Sequence, residues 1–246
     1  MAHSCTTSVR NRERDDALVL ALRHRKPPFE VVRQKPFGNL SQTGRADLVD
    51  VTRRSVACRY GFITGRISQA ARDELKLLLK THETINYLDA GAGYGNGLVE
   101  AGKISPDVCA HGLSLNAPDP EFNLPANCWT RGYFEATTFR EKGDASVGPF
   151  KVIDSGWALM HSVNISRALD NVLNSLAING KLFNTPAVNY WRHFDRQPLY
   201  TKLRAQGFRI YIGEEGMEIF IRNSGAVADL SHFYGDGEIN KIPLPS

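Results

Sequence analysis

The chain has 246 residues, 42% of them hydrophobic and 23% charged, with a formal net charge of +4 at pH 7. These proportions are ordinary for a soluble globular protein, and no run approaches the ~18 apolar residues that a membrane helix needs. The start, MAHSCTTSVRNRERDD, is polar where a secretory leader is apolar, and Cys5, Cys58, Cys109 and Cys128 form no C-x-x-C pair, so the expectation is a cytoplasmic protein with reduced thiols and no metal site.

Residues 1–66 hold 13 Lys and Arg against 6 Asp and Glu, which suits an anionic partner or simply a solvated helical surface. Residues 13–24 (ERDDALVLALRH) carry acids first and bases last around an apolar middle, the polarity that favours a helix dipole. Lys26-Pro27-Pro28 stops that helix. Two more helices are predicted, at about 45–57 and at 68–80, the latter with Ser68 as N-cap. Residues 1–80 therefore read as a basic helical extension, 81–224 as an α/β domain, and 225–246 as a tail.

From residue 85, strands alternate with helices. Strands are predicted at 85–89, 108–115, 127–131, 150–154, 180–184, 208–213 and 217–222, with helices after the first, second, fourth and fifth. The clearest helix is 162–177, with Asn179-Gly180 read as its C-terminal cap. Alternation implies a mainly parallel sheet with helices on both faces, and the short GEEG link makes the last two strands an antiparallel hairpin.

The first strand runs into Asp89-Ala90-Gly91-Ala92-Gly93-Tyr94-Gly95. In an open parallel sheet such a turn lies at the ligand-binding edge. A phosphate loop needs Lys followed by Ser or Thr after the glycines, and neither is present. A dinucleotide turn needs G-x-G-x-x-G, but starting from Gly91, Gly93 or Gly95 puts Asn96, Leu98 or Glu100 in the last place. What remains is D-x-G-x-G-x-G, in which a carboxylate beside a wide turn can meet an ammonium group through a charge-assisted bond.

That pattern resembles the first motif of the class I (Rossmann-like) S-adenosylmethionine-dependent methyltransferases, and the resemblance extends over about residues 85–222. It implies a seven-stranded, mainly parallel sheet ending in an antiparallel hairpin, preceded here by the helical extension. It also implies S-adenosylmethionine as cofactor, bound by Asp89, Gly91, Gly93 and Gly95. The second motif maps to Leu113-Ser114-Leu115-Asn116, with Ser114 where the family has a ribose-binding acid. The third maps to Gly132-Tyr133, so Tyr133, Phe134 or Glu135 is expected at the adenine. The fourth strand and loop, FKVIDSGWALMH, places Asp154 and His161 as candidate proton acceptors and Trp157 at the acceptor. LNSLAINGKLFNT and KLRAQGFRIYI match the family's fifth and sixth strands and their approaches.

The segment 186–198 (PAVNYWRHFDRQP) mixes aromatic and cationic residues, and Tyr190, Trp191 and Arg192 are expected to bind the acceptor. Asp154-Ser155-Gly156-Trp157 departs from the [DN]-P-P-[FY] motif of nucleic-acid amino-methyltransferases. Asp170-Asn171 has the composition of a metal-dependent site but lies mid-helix, and is set aside. Ile67-Ser68-Gln69 has a faint likeness to a segment of the protein isoaspartyl methyltransferases and places the preceding helix near the site. The resemblance implies methyl transfer to an oxygen or nitrogen of a small molecule or protein side chain, with RNA a third choice, and residues 1–66 as lid or recognition element. The alternative is a degenerate module that keeps the fold without turnover, in line with Ser114 and the missing Gly-Asp pair.

Overall fold

The computed structural model describes residues 27, 29–33, 67–142, 148–156, 158–159, 162, 164–185, 196–213 and 216–234. The elements in order are β1 (Phe29–Arg33), α1 (Gln69–Leu78), β2 (Ile85–Ala90), α2 (Asn96–Ile104), β3 (Val108–Ser114), β4 (Trp129–Arg131) and β5 (Thr137–Glu141). They continue with β6 (Phe150–Gly156), α3 (Ile165–Asn174), β7 (Leu176–Thr185), α4 (Gln197–Ala205), β8 (Phe208–Ile212) and β9 (Glu218–Arg222). Seven strands form one sheet in the order β4-β3-β2-β6-β7-β9-β8. β4, β3, β2, β6 and β7 run parallel, while β9 is antiparallel to both β7 and β8. The strand order reverses between β2 and β6, which makes the carboxyl ends of those two strands the natural ligand crevice.

Helices cover both faces, as alternation requires. Ala71 and Leu75 of α1 and Leu98 and Ala101 of α2 pack with Tyr87, Val152 and Phe183 on one side. On the other, Leu169, Val172 and Leu173 of α3 and Leu199 and Leu203 of α4 pack with Leu88, Ile153, Leu182 and Phe220. No helix among the described residues is long and apolar enough to cross a membrane.

Several expectations change. The predicted helices at 13–24 and 45–57 lie outside the described residues. Within the extension that read as helical, Phe29–Arg33 is a strand, paired antiparallel with β5 in a small second sheet. No α-helix follows β3, where Pro118, Pro120 and Pro125 allow only two single-turn 3₁₀ segments. Helix α3 ends at Asn174, not 177, and Asn179-Gly180 is no cap. Three residues of β6, Phe150 to Val152, face six of β7, Leu176 to Lys181, and Asn179 lies in this bulge at φ 60°. The supposed tail from 225 runs back along α3 as far as Tyr234. There Asp170 accepts bonds from Leu230 N and the Tyr234 hydroxyl, and Asn174 bonds both polar atoms of the Ala228 backbone. Asp170 is thus a clamp on the C-terminal segment, and Asn171 bonds Thr138 and the Phe134 carbonyl.

β1 is held by one side chain above all. Phe29 inserts among His111, Phe139 and Phe150, with ring centroids at 5.0, 5.4 and 5.0 Å. Burial pushes the His111 imidazole down to about 3, so it stays neutral in this apolar box and bonds Thr130 Oγ1 at 2.8 Å. Phe29→Ala is expected to lower the unfolding free energy by about 3 kcal/mol in urea denaturation, as buried Phe truncations do. A loss below about 1 kcal/mol would show that β1 is not docked in solution.

Candidate functional site

The crevice is built first by the glycine turn between β2 and α2. Gly91 N and Ala92 N both donate to Leu113 O, at 2.8 and 3.1 Å, which folds the turn against the end of β3. Gly91, Gly93 and Gly95 all have positive φ, at 100°, 55° and 104°. Their surroundings differ. A Cβ on Gly91 would lie 2.1 Å from Ala158 Cβ, and one on Gly95 would lie 2.6 Å from Leu124 Cδ1. A Cβ on Gly93 would meet nothing within 4 Å. Gly91 is therefore required by the protein's own packing, Gly95 chiefly by its left-handed backbone, and among the described residues Gly93 is the position of the three with no neighbour in its way.

Two carboxylates stand side by side next to the turn. Asp89 at the end of β2 is the register partner of Asp154 on β6, and both are buried. Asp154 accepts from Ser68 N at 2.6 Å and Ser68 Oγ at 2.9 Å. Ser68 Oγ in turn accepts from Ala71 N, so one serine caps α1, as its sequence position predicts, and ties that helix to the sheet. Asp89 Oδ2 has no partner among the described residues, nor has the Tyr87 hydroxyl two residues back on the same face. Glu100 of α2 adds a third acid to this neighbourhood, bridged to Arg72 of α1 at 3.0 Å. Burial, then the Asp154 charge, then Glu100 hold the Asp89 carboxyl well above the usual range. Burial pushes Asp154 up to about 6, against the two Ser68 bonds that favour its ionised form. Among the described residues the arrangement is short of positive charge, which a cationic ligand would supply.

At the end of β3 the ribose-contact expectation divides. Ser114 Oγ donates to Gly93 O at 3.1 Å and accepts from Asn116 N at 3.2 Å. Its hydroxyl is thereby spent on holding the turn. Asn116 is buried, and its side-chain Nδ2 has no partner among the described residues. Its own carbonyl accepts from Trp129 Nε1, and that of Leu115 accepts from Arg131 Nε. The polar group available here is thus the Asn116 amide. Leu115 is half-buried beside it. Asp119, which sequence reasoning missed, donates its backbone N–H to Tyr94 O at 2.9 Å and folds the loop back onto the glycine turn. Proline-bounded loops of this kind carry no periodic signal that would have placed it.

The expected adenine residues also separate. Phe134 Cζ lies 3.6 Å from where a Gly91 Cβ would be, so its ring borders the turn, and Tyr133 beside it is half-buried. Glu135 instead accepts from Asn164 N at the start of α3. Asp154 is brought to the site, where its carboxyl also holds Ser68 and the start of α1. The other expected residues, His161, Trp157, Tyr190, Trp191 and Arg192, lie outside the described residues.

Two outcomes follow from this geometry. Gly91→Ala must displace Ala158 and is expected to cost about 3 kcal/mol of stability, whereas Gly93→Ala pays only the left-handed backbone, about 1 kcal/mol. Denaturant titration of both checks this, and equal losses would contradict it. A carboxyl raised from its unfolded value near 4 stabilises the fold below that pH and loses the contribution as pH rises through its folded value of about 6. Between pH 4 and 7 the wild type is expected to lose on the order of 2 kcal/mol that Asp154→Asn does not lose, and the coupled Asp89 carboxyl adds to the difference. Asp170, also pushed up to about 6, slopes the same way in both proteins and cancels. Parallel pH profiles of wild type and variant would refute the assignment.

No family model and no curated protein matches this chain. Solved structures do. The 1,6-didemethyltoxoflavin-N1-methyltransferase of Burkholderia thailandensis, crystallised with 1,6-didemethyltoxoflavin and S-adenosylhomocysteine, is 15% identical over 81% of this chain and 97% of its own, with a TM-score of 0.50. The N-methyltransferase NodS of Bradyrhizobium japonicum, in complex with S-adenosylhomocysteine, is 14% identical over 72% and 98%, with a TM-score of 0.44. The [4+2]-cyclase SpnF is 21% identical over 76% of each chain, with a TM-score of 0.41. At these identities the likeness is one of architecture, and only the first reaches 0.50. Sheet order, terminal hairpin and glycine turn agree with it: the chain has the Rossmann-like fold of the class I methyltransferases.

Proposed function

We propose that this protein is an S-adenosylmethionine-dependent methyltransferase acting on an oxygen or nitrogen of a small molecule or a protein side chain. One observation carries the reading: the buried Asp89 carboxyl beside Asp154, its Oδ2 unpartnered among the described residues, at the Gly93 turn where the strand order reverses. S-adenosylmethionine offers what this place lacks, an ammonium and a sulfonium. Asp89 would hold the ammonium, the Asn116 amide would meet the ribose hydroxyls, and Leu115, Tyr133 and Phe134 would enclose the adenine. The structural neighbour crystallised with S-adenosylhomocysteine supports the same choice.

The bound cofactor would supply a methyl group on a cationic sulfur. The chain's own contribution is orientation and charge. The Asp89–Asp154 pair favours a cation at the turn, and Ser68 and Arg72 tie α1 to Asp154 and to Glu100 of α2. Catalysis then rests mainly on holding donor and acceptor in line. The basic N-terminal third is read as the acceptor-recognition element. In support, two described residues that flank this stretch lie at the ligand edge: Arg33 pairs with Thr137 beside the third motif, and Ser68 bonds Asp154. Trp157, Tyr190, Trp191 and Arg192 stay assigned to the acceptor.

Ser114 gives one specific reason for a second reading, a module that binds without turnover, because its hydroxyl is committed to Gly93 O instead of to a ligand. Calorimetric titration with S-adenosylmethionine, S-adenosylhomocysteine and NAD tests the assignment. Micromolar binding of the first two and none of NAD is expected, with Asp89→Asn weakening it at least tenfold, about 1.4 kcal/mol. No binding of either adenosyl ligand would reject the methyltransferase reading and leave a degenerate scaffold that binds a partner; binding without methyl transfer to any acceptor screened would favour the second reading in its cofactor-binding form.

A further inference from the structure

On the face of the sheet opposite Asp154, a polar row crosses the ligand-side ends of three strands. Ser155 of β6 is the register partner of Asn184 on β7, and Asn184 is the partner of Glu218 on β9. Their neighbours two residues along, Ile153, Leu182 and Phe220, belong to the apolar core, so the row begins where that core ends. The three side chains are 0%, 3% and 0% exposed. Polar groups buried so completely need partners.

Glu218 has them. It accepts from Asn184 Nδ2 at 2.8 Å, from the Arg196 guanidinium and from the Tyr200 hydroxyl. Burial first, then the Glu218 charge, raises the Tyr200 phenol, so it remains a donor. A carboxylate paired with arginine only accepts, which fixes the Asn184 amide with its NH₂ toward Glu218 and its carbonyl turned away. The charged end of the row is therefore closed by its own ion pair. The other end is not: Ser155 Oγ has no partner among the described residues, and Ser162 Oγ on the loop leaving the same strand has none either.

We propose that Ser155 and Asn184 form an acceptor subsite that takes an uncharged amide-like or lactam-like group, its N–H on the Asn184 carbonyl and its C=O on the Ser155 hydroxyl. This rests on the methyltransferase reading for its purpose and deepens it by naming the acceptor's chemistry. A carboxylate or phosphate would find the arginine here already paired, and an ammonium would find the glutamate already paired. The position suits an acceptor: Asp154 precedes Ser155 and faces the other side of the sheet, so the tip of β6 separates a cation-seeking face from a neutral one.

The test uses the full chain with S-adenosylhomocysteine, titrated with nicotinamide as neutral amide probe and nicotinate as its charged counterpart, followed by saturation-transfer NMR. Millimolar nicotinamide binding is expected, with nicotinate at least tenfold weaker. Ser155→Ala should weaken nicotinamide at least tenfold, change S-adenosylhomocysteine affinity less than twofold, and leave the melting temperature unchanged or higher, because it removes an unpaired buried hydroxyl. Asn184→Leu should abolish probe binding, but Ser155→Ala carries the test because it leaves Glu218 its partners. Absence of nicotinamide binding, equal binding of nicotinate, or a lowered melting temperature in Ser155→Ala would overturn the subsite. Failure of S-adenosylhomocysteine to bind would instead fall on the cofactor reading, and nicotinamide titration of the ligand-free protein would still decide the subsite.

Discussion

Two carboxylates buried side by side at the ends of β2 and β6 set the terms for the rest of this molecule. Parallel pairing puts Asp89 and Asp154 on the same face of the sheet, where neither is solvated and each raises the cost of ionising the other. Like charges so placed need either protons or compensation. The protein compensates one of them with its own groups: Ser68 gives Asp154 a backbone N–H and a hydroxyl, and in doing so fixes the start of α1. The other is left for something to bind. A carboxyl unpaired among the described residues, beside a glycine turn, amounts to a request for a cation, and the architecture around it concentrates that request at one edge of the sheet.

The same strand that carries Asp154 carries Ser155 on its opposite face, and the two residues divide the edge into unlike halves. Toward α1 and α2 the groups are acidic. Toward α3 and α4 the ion pair of Glu218 with Arg196 is closed, and the remaining polarity is neutral. A displacement needs donor and acceptor on opposite sides of the group transferred, and a division of charge across a single strand is a simple way to keep a cationic donor and an uncharged acceptor from competing for one site.

Much of this was legible before the structure. Alternating apolar strands and helices predict the seven-stranded sheet and its hairpin because burial on both faces leaves runs that stand out along the chain. Asp89 and the three glycines are contiguous, so the turn reads locally, and Ser68 reads as a helix cap for the same reason. The misses share one cause, dependence on partners distant in the chain. β1 and β5 are five residues each and persist because they pair with one another and bury Phe29 and Phe139. Asn179 looks like a helix stop until β6 claims Leu176 two residues after α3 ends. Ser114 occupies the position of a ligand-binding acid, but only the fold shows its hydroxyl turned to Gly93. Glu218 and Asn184 lie 34 residues apart, and no local pattern joins them.

The measurement that tests the central claim most directly is the proton count of cofactor binding. Titrating S-adenosylhomocysteine near pH 6 in buffers of different ionisation enthalpy yields the number of protons exchanged. If the ligand's ammonium settles beside carboxylates whose burial keeps them partly protonated, binding must release protons, and Asp89→Asn must reduce the number. Proton release that shrinks in the variant is the result this account predicts. Binding with no proton release near pH 6, or with release unchanged in Asp89→Asn, would contradict it.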